Sequence, residues 1–318
     1  MRALITGASG FLGSHLTEWL VETGHAVAVL HRPRSDLWRI QAVLPKVTTI
    51  RGDLEALPDA AGAVAHFAPD VVFHTAWHGV GSRHRDEEGQ VDRNIQSSLS
   101  LTRLACRIGC KAFVGLGSQA EYGPHNRRIN ETAATEPTTL YGAAKLSVFH
   151  LCRRIAALSG MRFVWARVFS AYGPRDNPEW MIPYLIRELL ARERPSLTPG
   201  EQQWDYVFAT DVAKAVCLLG LCPRAEGPFN LGSGQVHSIR SIVERIRDLI
   251  DPTLPLGLGE VPYRADQVMH LQADTTRLET VTGWRPEVPL ETGLRRTVEW
   301  YRSQAQAELE RKTRGRLA

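Results

Sequence analysis

An α/β fold is what the sequence predicts: a doubly wound parallel sheet with a smaller, interleaved C-terminal α/β lobe. Three observations carry this reading. Short apolar stretches alternate with amphipathic helical stretches through the first half of the chain, a glycine-rich turn joins the first two, and prolines crowd a later segment where the alternation lapses. With 318 residues the chain exceeds the usual single compact domain, yet it is short enough for two lobes to share one cleft.

Residues 3–6 (ALIT) form the first buried strand, Gly7–Gly13 a turn, Phe11–Glu22 a helix by its apolar spacing, and Ala26–Leu30 the second strand. Further strands follow at Val47–Ile50, Asp70–His74 and Ala112–Leu116, with a helix over Asn94–Ile108. Strands alternating with helices imply right-handed crossovers and a parallel sheet covered on both faces. A long helix, Tyr141–Leu158, leads into the strand Arg162–Val168, after which Pro174, Pro178, Pro183, Pro195 and Pro199 mark a second lobe. The expected division is therefore 1–173 for the sheet domain, rejoined by 204–225, with 174–203 and 226–318 forming the other lobe. The polar stretch 304–318 is expected to fray.

Composition limits the classes of function. Hydrophobic residues at 43% and charged residues at 23% exclude a disordered chain. A net charge of +4, with arginines scattered and no run of five like charges, suits a small anionic ligand and not a nucleic-acid surface. The five cysteines include no C-x-x-C pair and read as reduced core thiols, with no metal site. No apolar run approaches membrane-spanning length, and Met1 runs straight into a strand, so the expected location is the cytoplasm.

The turn Thr6-Gly7-Ala8-Ser9-Gly10-Phe11-Leu12-Gly13 lies between a strand and a helix, the context in which a glycine pattern indicates a nucleotide site. Gly7 permits the tight turn, Gly10 lets a pyrophosphate approach the helix N-terminus, and Gly13 allows close helix–strand packing. An NAD site places a carboxylate about 20 residues on, at the end of the second strand. That place holds His31 and Arg32, and an arginine fork grips a 2′-phosphate, so Arg32, helped by Arg34, points to NADP(H). Asp36 lies close enough for a different loop path to restore NAD.

Tyr141 and Lys145, four residues apart at a helix start, emerge on one face. An ammonium beside a phenol favours the phenolate, which suits proton transfer near neutral pH. About twenty residues earlier, Gly117-Ser118-Gln119-Ala120-Glu121-Tyr122-Gly123 ends an apolar strand. With these motifs the chain resembles the extended short-chain dehydrogenase/reductases of the NAD(P)-dependent epimerase/dehydratase family. The likeness extends over His74-Thr75-Ala76, Asn94, Arg167–Pro174, Asp205-Tyr206-Val207, Phe229–Gly232, Arg264–Asp274 and Gly283–Pro286.

The resemblance implies a Rossmann sheet, with Ser118, Tyr141 and Lys145 as the catalytic group. Gly7, Gly10, Phe11, Leu12 and Gly13, with Tyr141 and Lys145, would hold the cofactor. Asp53 and Leu54 would lie near the adenine, Thr75 and Ala76 near the nicotinamide ribose, and Arg264 near a substrate diphosphate. His78, Gln119, Ser170, Asn177 and Trp204 complete the implied substrate set, although for Trp180 and Trp204 a core position is the favoured reading. Gln119 and Ala120 stand where family dehydratases carry Asp and Glu, so no acid–base pair for dehydration is present. Ala120 and Trp180 replace the Cys and His of C3/C5 epimerases. Glu121 touches the sugar or makes only an ion pair.

The expectation is thus NADPH-dependent reduction of a nucleoside-diphosphate keto sugar, a 4-keto-6-deoxy sugar by preference. The alternatives are a C4 epimerase with tightly held NAD, a flavonoid-type reductase of a non-sugar ketone, and a silent NADP-binding regulator. The apolar stripes of the helices at 94–108 and 141–158 imply, through the same resemblance, a homodimer joined by a four-helix bundle.

Overall fold

The computed structural model describes residues 1–264 and 267–317. Its first half comprises β1 (Arg2–Thr6), α1 (Phe11–Glu22), β2 (Ala26–His31), β3 (Thr48–Arg51), α2 (Pro58–Phe67), β4 (Val71–His74), a short α3 (Gly89–Asp92), α4 (Asn94–Arg107), β5 (Ala112–Ser118), β6 (Arg128–Ile129), α5 (Leu140–Ser159), β7 (Arg162–Val168) and β8 (Ser170–Tyr172). The second half comprises α6 (Met181–Leu190), β9 (Ser196–Leu197), β10 (Gln203–Phe208), α7 (Ala209–Leu221), β11 (Gly227–Leu231), β12 (Val236–Ser238), α8 (Ile239–Ile250), β13 (Gly257–Leu258), β14 (His270–Ala273), α9 (Thr276–Thr282) and α10 (Leu290–Leu317).

Seven strands form one parallel sheet in the order β11-β7-β5-β4-β1-β2-β3. Successive side chains of β1 and β4 face opposite layers, so both faces need apolar cover. Ile5 and Phe73 pack with Leu16 and Leu20 of α1 and Val212 and Val216 of α7. Leu4 and Val72 pack on the other face with Leu101 of α4, Val148 of α5 and Trp165. The strand order reverses between β1 and β4, and a crevice opens at the carboxyl ends of strands at such a switch point.

The second lobe carries a sheet in the order β12-β10-β14-β6, with β8 paired in parallel to β10. Its core joins Leu185 and Ile186 of α6, Ile242 and Ile246 of α8, and Leu294 and Val298 of α10.

Two expectations are corrected. Within 204–225 only α7 returns to the main sheet, because β10 pairs with β8, β12 and β14; the strand that rejoins is β11, parallel to β7 from Gly227↔Val164 to Leu231↔Val168. Segment 226–318 is therefore not wholly part of the second lobe. The polar stretch from Gln304 continues α10 to Leu317 without fraying into coil, since Gln, Ala, Glu, Lys and Arg are good helix formers.

Candidate active site

The glycine turn is built by close approach. Gly7 has φ +80°, and a Cβ there would lie 2.5 Å from the Ala76 nitrogen; a Cβ on Gly13 would lie 2.1 Å from the Gly7 carbonyl oxygen. Only glycine lets β1, the start of α1 and the end of β4 converge this tightly. Gly10 is the N-cap of α1 and has no side-chain cap, so the first-turn N–H groups face the cleft. Such a cradle fits the pyrophosphate of a dinucleotide.

Beneath the turn, Ser98 donates its hydroxyl proton to the Asn94 carbonyl (2.7 Å) and so accepts from His74 Nε2 (2.9 Å). His74 Nδ1 then accepts from the Thr6 hydroxyl (2.8 Å). Burial, helped by the Lys145 charge, pushes the His74 pKa down to about 3, and the imidazole stays neutral.

Helix α5 opens at Leu140 because Thr139 accepts from the Gly142 N–H (3.2 Å). Its first turn is tied to the preceding loop by Tyr141 N–H donating to the Arg85 carbonyl (2.8 Å). The Ser118 side chain lies beside the Tyr141 phenol. Burial raises the phenol above its ordinary pKa; the Ser118 side chain and the Arg85 charge oppose this, and the Glu121 charge adds to it. One turn on, Lys145 donates to the Leu116 carbonyl (2.6 Å), and burial pushes its pKa down to about 7 against the pull of Glu121. Ser118, Tyr141 and Lys145 thus converge at the carboxyl end of β5.

Glu121 is fully buried below this group. It accepts from Ser118 N–H (2.8 Å), Trp165 Nε1 (2.8 Å) and Arg167 Nε (2.7 Å). It is an ion-pair partner and a brace for the Ser118 backbone, and it does not line the cleft.

The cleft has a volume of about 780 Å³. It is lined by glycine-turn residues with His31, Arg32, Asp53, Leu54, Thr75 and Ala76. His78, Gln119, Ser170, Asn177, Trp204 and Arg264 line the same cleft, as do Ser118, Tyr141 and Lys145. Arg34 is exposed and does not line the cleft. Asp36 is also off the wall; its carboxylate accepts from the Trp38 N–H (3.0 Å) in a local turn. Trp180 and Trp204 belong to the cleft wall and not to the interior, with Trp204 Nε1 donating to the Val268 carbonyl (2.9 Å).

Sequence reasoning passed over Trp77, Arg39, Arg85 and Asp176, all on the wall. Burial pushes Asp176 up to about 7, opposed by the Asn177 N–H (2.7 Å) and the Arg39 charge. No motif announces these four; only the fold brings them to the cleft. The five cysteines are unpaired.

A glycine cradle at the switch point of a parallel sheet, facing a Ser–Tyr–Lys group, defines an extended short-chain dehydrogenase/reductase that uses a nicotinamide dinucleotide. The chain belongs to the NAD dependent epimerase/dehydratase family, whose model matches residues 3–232. It is 29% identical to a probable UDP-glucuronate 4-epimerase of Rhizobium meliloti, over 95% of this chain and 97% of that one. It is 27% identical to the GDP-6-deoxy-D-mannose reductase of Pseudomonas aeruginosa, over 96% and 99%. Among solved structures it is similar to the UDP-glucose 4-epimerase of Thermus thermophilus in complex with NAD, with TM-score 0.81, 26% identity and coverage of 95% and 99%. Among the described residues no helix is long and apolar enough to cross a membrane.

Proposed function

We propose that the protein transfers a hydride at C4 of a nucleoside-diphosphate hexose. The observation that carries this reading is the Ser118 side chain beside the Tyr141 phenol, with Lys145 one turn on, all three lining one cleft together with the glycine turn and Arg264. Ser118 holds the sugar oxygen, Tyr141 exchanges a proton with that oxygen, and Lys145 holds the ribose and favours the phenolate. A bound nicotinamide supplies or accepts the hydride. Arg264 takes the diphosphate.

The net reaction has two readings. The relatives named above include two 4-epimerases, one of them solved with NAD, and they support a C4 epimerisation in which the dinucleotide is regenerated. The observation favouring net reduction with NADPH, as in the Pseudomonas relative, is the end of β2. There Arg32 lines the cleft, while the nearby Asp36 is turned to a local cap.

One experiment separates them, with Tyr141→Phe as control. Wild type is given UDP-hexoses and UDP-hexuronates without added dinucleotide, and 4-keto-6-deoxy sugars on GDP, dTDP, CDP or UDP with NADPH. Epimer formed without added cofactor supports the first reading, and stoichiometric loss of NADPH the second. No turnover of any of these sugars, or turnover that survives in Tyr141→Phe, overturns the proposal. The working unit in this reading is a homodimer through α4 and α5, supported by the exposed Leu151 (46%) and Leu158 (72%) of α5.

A further inference from the structure

Trp77 follows Ala76 at the end of β4, where neither the glycine turn nor the Ser–Tyr–Lys group requires an indole. Its ring meets both members of the catalytic helix. Lys145 Nζ lies 3.6 Å from its centroid, and the Tyr141 ring stands edge-on to it at 6.1 Å and 84°. Its Nε1–H donates to Gln90 Oε1 (2.8 Å). Gln90, fully buried, donates in turn to the carbonyls of Gly79 (2.6 Å) and His84 (2.8 Å). The same Oε1 accepts from Asn94 Nδ2 (3.1 Å), and Asn94 clamps the backbone of His78 at both its N–H (2.8 Å) and its carbonyl (3.1 Å). A buried amide pair therefore fixes the indole and shapes the substrate-side loop together.

Lys145 needs such a partner. Its hydrogen bond to Leu116 ends on a neutral carbonyl, and no carboxylate lies within 4 Å of it among the described residues. Burial drives the amine toward its neutral form. The negative face of an indole opposes that drive, because a desolvated cation over an aromatic ring is strongly attracted. The other groups around it are the more distant Trp165 ring, its centroid 5.9 Å from Nζ; Glu121 from the turn after β5, which favours the charged form; Tyr141 on the same helix, with the Arg85 guanidinium beside its ring; and neutral His74 from β4.

We propose that Trp77 is a positioning residue for Lys145: its indole face keeps the ammonium charged and seated below Tyr141, and the Gln90–Asn94 amide pair links that seat to the loop carrying His78. The inference rests on reading Tyr141 and Lys145 as the proton-transfer and ribose-holding pair. A charged Lys145 donates more strongly to ribose hydroxyls than a neutral one, so dinucleotide affinity reports its protonation.

The test is the affinity for NADPH and NADH, by nucleotide fluorescence, from pH 6 to pH 10 in wild type, Trp77→Phe, Trp77→Leu and Trp77→Met. The pH above which affinity falls is expected about one unit lower in the Leu and Met variants, with Phe restoring most of the difference. A Leu or Met variant that keeps the wild-type midpoint overturns the proposal, since the ring would then only fill space. Should neither variant fold, wild type grown with multiply fluorinated tryptophan keeps the shape and weakens the ring's negative face; the same downward shift is expected, and an unmoved midpoint overturns it. Wild type without dinucleotide affinity overturns it as well. Because binding is read without turnover, a wild type that shows this pH dependence but converts no sugar refutes the proposed function and leaves this inference standing.

Discussion

At the scale of single residues, the active centre shows how burial decides chemistry. Tyr141 and Lys145 are pushed by desolvation in opposite directions on the pH scale, both toward their neutral forms. Glu121 behaves differently because it has three donors and a buried counter-ion, with Arg167 3% and Glu121 0% exposed. Replacing Glu121 by Ala removes the acceptor for Arg167, Trp165 and the Ser118 backbone at once. Leaving one buried charge uncompensated is expected to destabilise the fold by about 3–5 kcal/mol, read as a lower urea midpoint, with Glu121→Gln losing less. Tyr141 and Lys145 are marked in the sequence by their four-residue spacing at a helix start, and Ser118 by the resemblance of its strand end to the family pattern; the fold brings all three to one cleft. Trp77, Arg39, Arg85 and Asp176 are not marked, because each reaches the cleft through a loop whose path no local pattern specifies.

At the scale of elements, the parallel strands and their long helices were legible wherever apolar periodicity was unbroken; α1 runs over Phe11–Glu22, as its spacing predicts. Helix α2 went unread because PDAAGAVAHF is short, begins on proline and contains glycine, a poor helix former, although Ala60, Val64 and Phe67 are buried. Strand β10 was assigned to the wrong sheet for a different reason: an apolar strand before a helix looks the same whichever sheet it joins, and its neighbours are separated from it by tens of residues. Helix α5 has a second face beyond the one that packs on the sheet. Leu151 and Leu158, seven residues apart in its second half, are exposed on one stripe, and Ile95 and Leu99 of the neighbouring α4 are half-buried. Sedimentation is expected to show a dimer for the wild type and a monomer for Leu151→Glu/Leu158→Glu; a dimer that survives the double change would place the interface elsewhere.

At the scale of the whole molecule, the cleft exists because the chain passes between its two sheets: β7 and β11 lie in the large sheet, while β8 and β10 carry the second lobe over its carboxyl edge. The junction under the glycine turn is held by one neutral imidazole, since His74 joins Thr6 of β1 to Ser98 of α4. The unfolded chain binds a proton at this histidine with its ordinary pKa of 6.5, whereas the folded chain does so only near 3. Between those values the unfolded state carries more bound protons, so stability is fully present above pH 6.5 and declines as the pH falls through this window. At pH 5 this one group is expected to remove about 2 kcal/mol of the stability present at pH 7. His74→Asn cannot take up that proton. The variant is expected to be less stable than wild type at pH 7, where the two hydrogen bonds are weakened, yet to lose less stability between pH 7 and pH 5 in urea titrations at each pH. Equal losses in the two proteins would mean that acid opens the molecule elsewhere and that the junction beneath the turn outlasts it.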